Sequence, residues 1–192
     1  MDIHKQVKQK LGKLNLDNAL VLILVDSKHY NEVNIELIKY LNVDKHLPGV
    51  YVTVNKPYAT IKRIMEQNKI NTKTIIFIDA ISKLTGDKSK KTADCLFIGM
   101  PNDLTGLSVA MNEAVKSLPT KKKFLFLDSL STLSIHNSAG SVNQFAHFLT
   151  ANMREWGVMG VIISLERETE QSLIDQLAQF CDLSIELGGG KT

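Results

Sequence analysis

Two cysteines in 192 residues, Cys95 and Cys181, are too few and too far apart for a disulfide framework. No histidine cluster accompanies them to make a zinc site. Both stand in apolar surroundings and read as packed free thiols of a reducing compartment. Long hydrophobic runs are missing as well. The longest strongly apolar stretch, residues 19–25, falls far short of a bilayer span, and the opening Met1-Asp2-Ile3-His4-Lys5 has no apolar signal region. The chain therefore reads as cytoplasmic, with no membrane partner. An excess of one charge is also lacking: 23 Lys+Arg against 20 Asp+Glu leaves +3. Basic residues cluster only at Lys88-Ser89-Lys90-Lys91 and Lys121-Lys122-Lys123, and neither cluster interleaves with aromatics, so nucleic acid is an unlikely partner.

What is present is the profile of one globular domain, 44% hydrophobic and 22% charged. Short apolar runs alternate with helical periodicity almost from end to end. That pattern predicts an α/β fold: a doubly wound, mainly parallel sheet flanked by helices. Residues 3–14 place Ile3, Val7, Leu11 and Leu14 on one face of an opening helix. Strands are expected at 20–25, 50–54, 75–78, 95–98, 124–128, 161–164 and 183–187, with those at 20, 124 and 161 central because they are apolar without alternation. A polar loop is expected at 134–141. The predicted division is a helix at 1–15 packed on the domain, the domain itself at 16–187, and a flexible tail at 188–192.

Open parallel sheets bind ligands at the carboxyl ends of their strands, so the loops after each strand decide the chemistry. The run Phe124-Leu125-Phe126-Leu127 delivers Asp128 and Ser129 to such an exit, the position from which nucleotide-hydrolysing proteins hold Mg²⁺. After the first strand comes Asp26-Ser27-Lys28-His29-Tyr30-Asn31-Glu32-Val33-Asn34. A phosphate cradle needs glycines to aim successive N–H groups, then a lysine and a Ser or Thr. This loop has no glycine, its lysine sits too near the strand, and Asp26 and Glu32 repel a triphosphate. The ending Gly188-Gly189-Gly190-Lys191-Thr192 mimics that motif only superficially, since Ile185 stands where its first glycine belongs.

The order of elements resembles the KaiC-like branch of RecA-type ATPases over roughly residues 16–187. Three segments carry the resemblance. Leu125-Phe126-Leu127-Asp128-Ser129-Leu130-Ser131 is similar to that family's Walker B strand. Residues 154–166 resemble its next helix and strand, and 180–187 its closing strand. The resemblance implies a RecA-like P-loop NTPase fold. It also implies that the loop from Asp26 to Asn34 stands at the Walker A position, and that Asn55 and Lys56 replace the acidic pair that activates water. An amide and an ammonium cannot take that proton at neutral pH. The expectation is a pseudo-ATPase with a degenerate Walker A loop and no cofactor.

Three readings of function follow. The first is a catalytically inactive RecA/KaiC-like domain acting as a regulatory or scaffold module for protein partners, including copies of itself. Residues 83–94 and the opening helix are its nominated contact regions. The second is Mg²⁺ or nucleotide binding by the strand-exit carboxylates Asp26, Asp79 and Asp128, set against ordinary capping by Asp and Ser after a strand. The third is a receiver-like signalling domain with a phosphorylated aspartate, which lacks the late-strand lysine at Ser164-Leu165-Glu166-Arg167. Glu166, Arg167 and Glu168 stand where the relatives carry nucleotide-sensing residues, and read as a solvated loop.

Overall fold

A computed structural model describes residues 2–15, 17–83, 92–166 and 169–188. Seven strands form one sheet in the order β4-β3-β2-β5-β6-β1-β7, and every strand pairing is parallel. The strands are β1 (Leu20–Val25), β2 (Gly49–Thr53), β3 (Ile75–Asp79), β4 (Cys95–Phe97), β5 (Phe124–Asp128), β6 (Met159–Leu165) and β7 (Leu183–Leu187). Strands β1, β5 and β6 each have a neighbour on both sides, and all five residues of β5 are buried. Their unbroken apolar character has this cause: helices cover both faces, so neither set of alternating side chains meets water.

Helices α1 (Ile3–Leu11), α2 (Tyr30–Lys39) and α3 (Tyr58–Gln67) cover one face, where Val21, Ile23, Tyr51, Phe77 and Phe126 point. Helices α4 (Leu104–Ser117), α5 (Leu130–His136), α6 (Ala139–Glu155) and α7 (Gln171–Phe180) cover the other, over Leu22, Val52, Leu125, Leu127 and Ile162. Between β1 and β2 the chain must pass two strands, β6 and β5, so α2 lies across the sheet's middle. That crossing brings α2 over the exit of β5.

The polar loop expected at 134–141 is instead the end of α5 and the start of α6, with only Asn137 and Ser138 between them. Serine caps explain the difference. Ser129 Oγ accepts the Thr132 N–H at 3.3 Å and Ser138 Oγ accepts the Ser141 N–H at 3.2 Å, so each polar stretch starts a helix. A π-helical turn, Tyr40–Asp44, extends α2. The opening helix is present, but Ile3, Val7 and Leu11 are buried against the domain. Its apolar face is spent on the core, so only the polar face of Lys5, Lys8 and Lys10 is left to solvent. The other nominated region falls mostly on residues 84–91, outside the described residues.

Gly49 shows how tightly the layers close. A Cβ there would stand 2.4 Å from the ring of Phe124, its partner across the β2–β5 ladder. Gly49→Val should therefore destabilise the fold by about 1–3 kcal/mol through overpacking. Urea denaturation checks this, and an unchanged midpoint would contradict it.

Candidate functional site

The carboxyl ends of β1, β2 and β5 gather most of the residues singled out above. Asp128 is 1% exposed, so its carboxyl is desolvated, which pushes its pKa up to about 8. Its Oδ2 lies 2.5 Å from the hydroxyl of Tyr51, and that hydroxyl lies 3.0 Å from Oδ1 of Asn34 on α2. A phenol carries one proton for these two contacts. A carboxyl that stays neutral at pH 7 supplies the second: Asp128 donates to Tyr51, and Tyr51 donates to Asn34. The other carboxyl oxygen, Oδ1, is buried and finds no hydrogen-bond partner among the described residues, a further reason for the neutral form.

Tyr51 was not singled out from the sequence, although a signal existed. Its ring lies fully buried and stacks on Phe126 with centroids 5.2 Å apart. A tyrosine inside Val50-Tyr51-Val52, on a strand covered on both faces, must find a partner for its hydroxyl. Which partner depends on the β2–β5 register, where Thr53 stands opposite Asp128 and Tyr51 opposite Phe126.

The three strand-exit aspartates do not come together. One strand intervenes between β1 and β5, and another between β3 and β5, which sets their exits about 10 Å apart. Each has its own partners. Asp79 Oδ1 accepts the N–H groups of Ile81 and Ser82, and its Oδ2 takes the Tyr58 N–H and the Ser82 hydroxyl. Asp26 Oδ1 accepts the His29 N–H at 2.9 Å and approaches the imidazole Nδ1 at 2.8 Å. These bonds from His29 hold the Asp26 pKa below the ordinary carboxylate value. Among the described residues, no group of three or more His, Cys, Asp or Glu is placed to hold a metal ion.

The loop from Asp26 to Asn34 becomes a tight turn and the first helical turns of α2. Ser27 and Lys28 are exposed, His29 is the N-cap residue, and the helix starts at Tyr30. Capping comes from Asp26, three residues back. The helix N-terminus, where an anion gains most from the backbone dipole, thus already faces one carboxylate, with Glu32 in its first turn. Val33 and Asn34 are buried beneath it, while Asn31 and Glu32 face solvent. Gly188, with φ +84°, packs on the histidine; a Cβ there would stand 2.6 Å from that of His29.

Asn55 and Lys56 follow β2 and close on this turn. Asn55 Nδ2 reaches the Tyr30 hydroxyl at 3.4 Å; Lys56 Nζ donates to Asn31 Oδ1 and lies 5.9 Å from the Tyr30 ring centre. Partial burial lowers the Lys56 pKa. Ser129 serves as the cap of α5, and its Oγ also meets Ser131 Oγ at 2.9 Å. Glu166 follows β6 in a turn, and Arg167 and Glu168 lie outside the described residues. A carboxyl–phenol–amide chain runs from Asp128 through Tyr51 to Asn34 and fastens α2 to the centre of the sheet.

Comparison with known proteins places this fold. The KaiC-like protein PH0186 of Pyrococcus horikoshii OT3 is similar at a TM-score of 0.60 and 12% identity, covering 88% of this chain and 72% of that one. The uncharacterized protein PH0321 of Pyrococcus horikoshii, solved in complex with an unknown peptide, matches at 0.72 and 10% identity over 95% and 82% of the two chains. The flagellar accessory protein FlaH of Methanocaldococcus jannaschii matches at 0.65 and 12% identity over 94% and 76%. The chain thus has the RecA-like α/β fold of the KaiC-like proteins, as its sequence motifs implied. No curated protein matches the sequence. One family model matches residues 44–187; it is described as a family of unknown function, DUF7504. Among the described residues, no helix is long and apolar enough to cross a membrane.

Proposed function

The chain belongs to the DUF7504 family, and we propose that it is a RecA-like domain that has given up nucleotide hydrolysis and works as a regulatory or scaffold module for protein partners. One observation carries this reading: the Tyr51 hydroxyl occupies Asp128, the carboxyl that in an ATPase of this fold would face the metal. Two features support it. The turn after β1 lacks glycine and aims a carboxylate at the helix N-terminus, the reverse of a phosphate cradle. Asn55 and Lys56 supply no general base. With neither grip nor base, the faces by which such a domain docks are what remain to be used. Under this reading the protein needs no cofactor and works in the cytoplasm.

Purified protein should release no phosphate from ATP above background, because losing a positioned base alone costs about 10² to 10⁴ in rate. Calorimetry with ATP, ADP and Mg²⁺ should show no micromolar binding. Steady phosphate release that vanishes in Asp128→Ala would overturn the proposal, and micromolar ATP affinity would restore nucleotide binding as the function.

A further inference from the structure

Three loops lead into adjacent strands at the amino-terminal end of the sheet: residues 45–48 into β2, 68–74 into β3 and 118–123 into β5. They carry Lys45, Lys69, Lys73, Lys121, Lys122 and Lys123 and no carboxylate, whereas the whole chain is only +3. Because β3, β2 and β5 are parallel neighbours, these lysines collect at one end of the molecule, opposite the strand exits. Lys122 pairs with Asp17 at 2.9 Å, and Lys123 donates to the carbonyls of Val115 and Leu118 at the end of α4. Among the described residues, no carboxylate pairs with Lys69, Lys73 or Lys121.

Between the three loops runs a groove of ≈ 570 Å³. Pro48, Ile75, Ile76, Leu118 and Pro119 give it apolar walls, and His46 and Lys73 stand on its rim. Asp94, the one acidic residue among the described lining, is held by Lys62 at 2.6 Å and by the Tyr58 hydroxyl. His46 (φ +54°) and Lys69 (φ +62°) take the left-handed conformation common just past a helix end, His46 after the turn 40–44 and Lys69 after α3.

We infer that this end of the sheet is a docking groove for an acidic peptide segment of a partner protein, one that alternates carboxylates with apolar side chains. An apolar recess lined by Lys73, with Lys45 and Lys121 on the loops beside it, matches that alternation. Single-stranded nucleic acid would call for aromatic platforms, and the groove's lining contains none. A lipid surface is met by protruding apolar side chains, not by a recess. The inference rests on the interaction role proposed above and names the partner's chemistry. ATP hydrolysis would overturn that role and leave the groove intact, whereas a failed peptide titration would overturn the groove alone.

The test is fluorescence anisotropy with a labelled peptide alternating glutamate and leucine, beside the same peptide with lysine for glutamate. The glutamate peptide should bind, more weakly as salt is added, and the lysine peptide should not. Lys73→Glu combined with Lys121→Glu should raise Kd at least ~tenfold. His46→Gly should weaken binding while leaving the melting temperature unchanged or higher, which separates lost contact from lost fold. Three results would each overturn the inference: no binding of the glutamate peptide; a Kd unmoved by the charge reversals; or polyglutamate, single-stranded DNA or phosphatidylserine vesicles binding as tightly as the peptide.

Discussion

Asp128→Asn should make the protein more stable at pH 7 and flatten part of its pH dependence. The sign follows from a folded pKa of about 8 against an ordinary value of 3.8. Below pH ~3.8 the carboxyl is protonated in both states and takes nothing from stability. As pH rises, the unfolded chain ionises this group while the folded chain keeps it neutral, so unfolding is favoured by up to about tenfold per pH unit. The loss is complete once pH passes about 8. Asparagine presents an N–H to the Tyr51 oxygen as the neutral carboxyl does, without the titration. The difference between wild-type and variant stability, from urea melts at several pH values, should therefore widen from pH 4 to pH 8 and then level off. Parallel curves across that range would mean that Asp128 is ionised in the folded protein and that the proton chain is wrongly drawn.

Tyr51→Ala should be the most damaging substitution at the site, costing about 3–5 kcal/mol, because a fully buried ring stacked on Phe126 leaves a cavity that a strand cannot collapse to fill. Tyr51→Phe isolates the hydroxyl. It keeps the packing but leaves Asp128 and Asn34 facing a ring edge, at about 1–3 kcal/mol. Chemical denaturation of both variants gives the two figures. If Tyr51→Phe proves neutral, the hydroxyl is not what fastens α2 to β5. Neither variant should gain ATP hydrolysis, since Asn55 and Lys56 still offer no base.

Much of the fold was legible because its strands are buried on both faces. A run such as Phe124-Leu125-Phe126-Leu127 has no alternation to misread, and the helices between the strands keep their apolar stripes. The helix–helix junction at 137–138 was not, because serine and asparagine are as common in loops as in caps, and the deciding bond runs only three residues ahead. At the candidate site, the missing glycines and the amide and lysine at Asn55 and Lys56 were plain to read. The partners of the aspartates were not. Asp79 and Asp26 bind their own turns, the outcome that Asp after a strand favours, but which N–H groups each would take was not readable.

By itself the sequence determined the layered α/β architecture, the resemblance to KaiC-like proteins and the lack of glycine in the turn after β1, all properties that local patterns carry. Tertiary structure alone decided two others. Asn34, Tyr51 and Asp128 meet only because α2 crosses two strands and β2 pairs with β5 in one register. The six lysines, scattered from position 45 to 123, form one basic end only because β3, β2 and β5 lie side by side and parallel. Charge and hydrogen bonding act through space over a few ångströms, and chain separation does not record which segments the sheet will set within that reach.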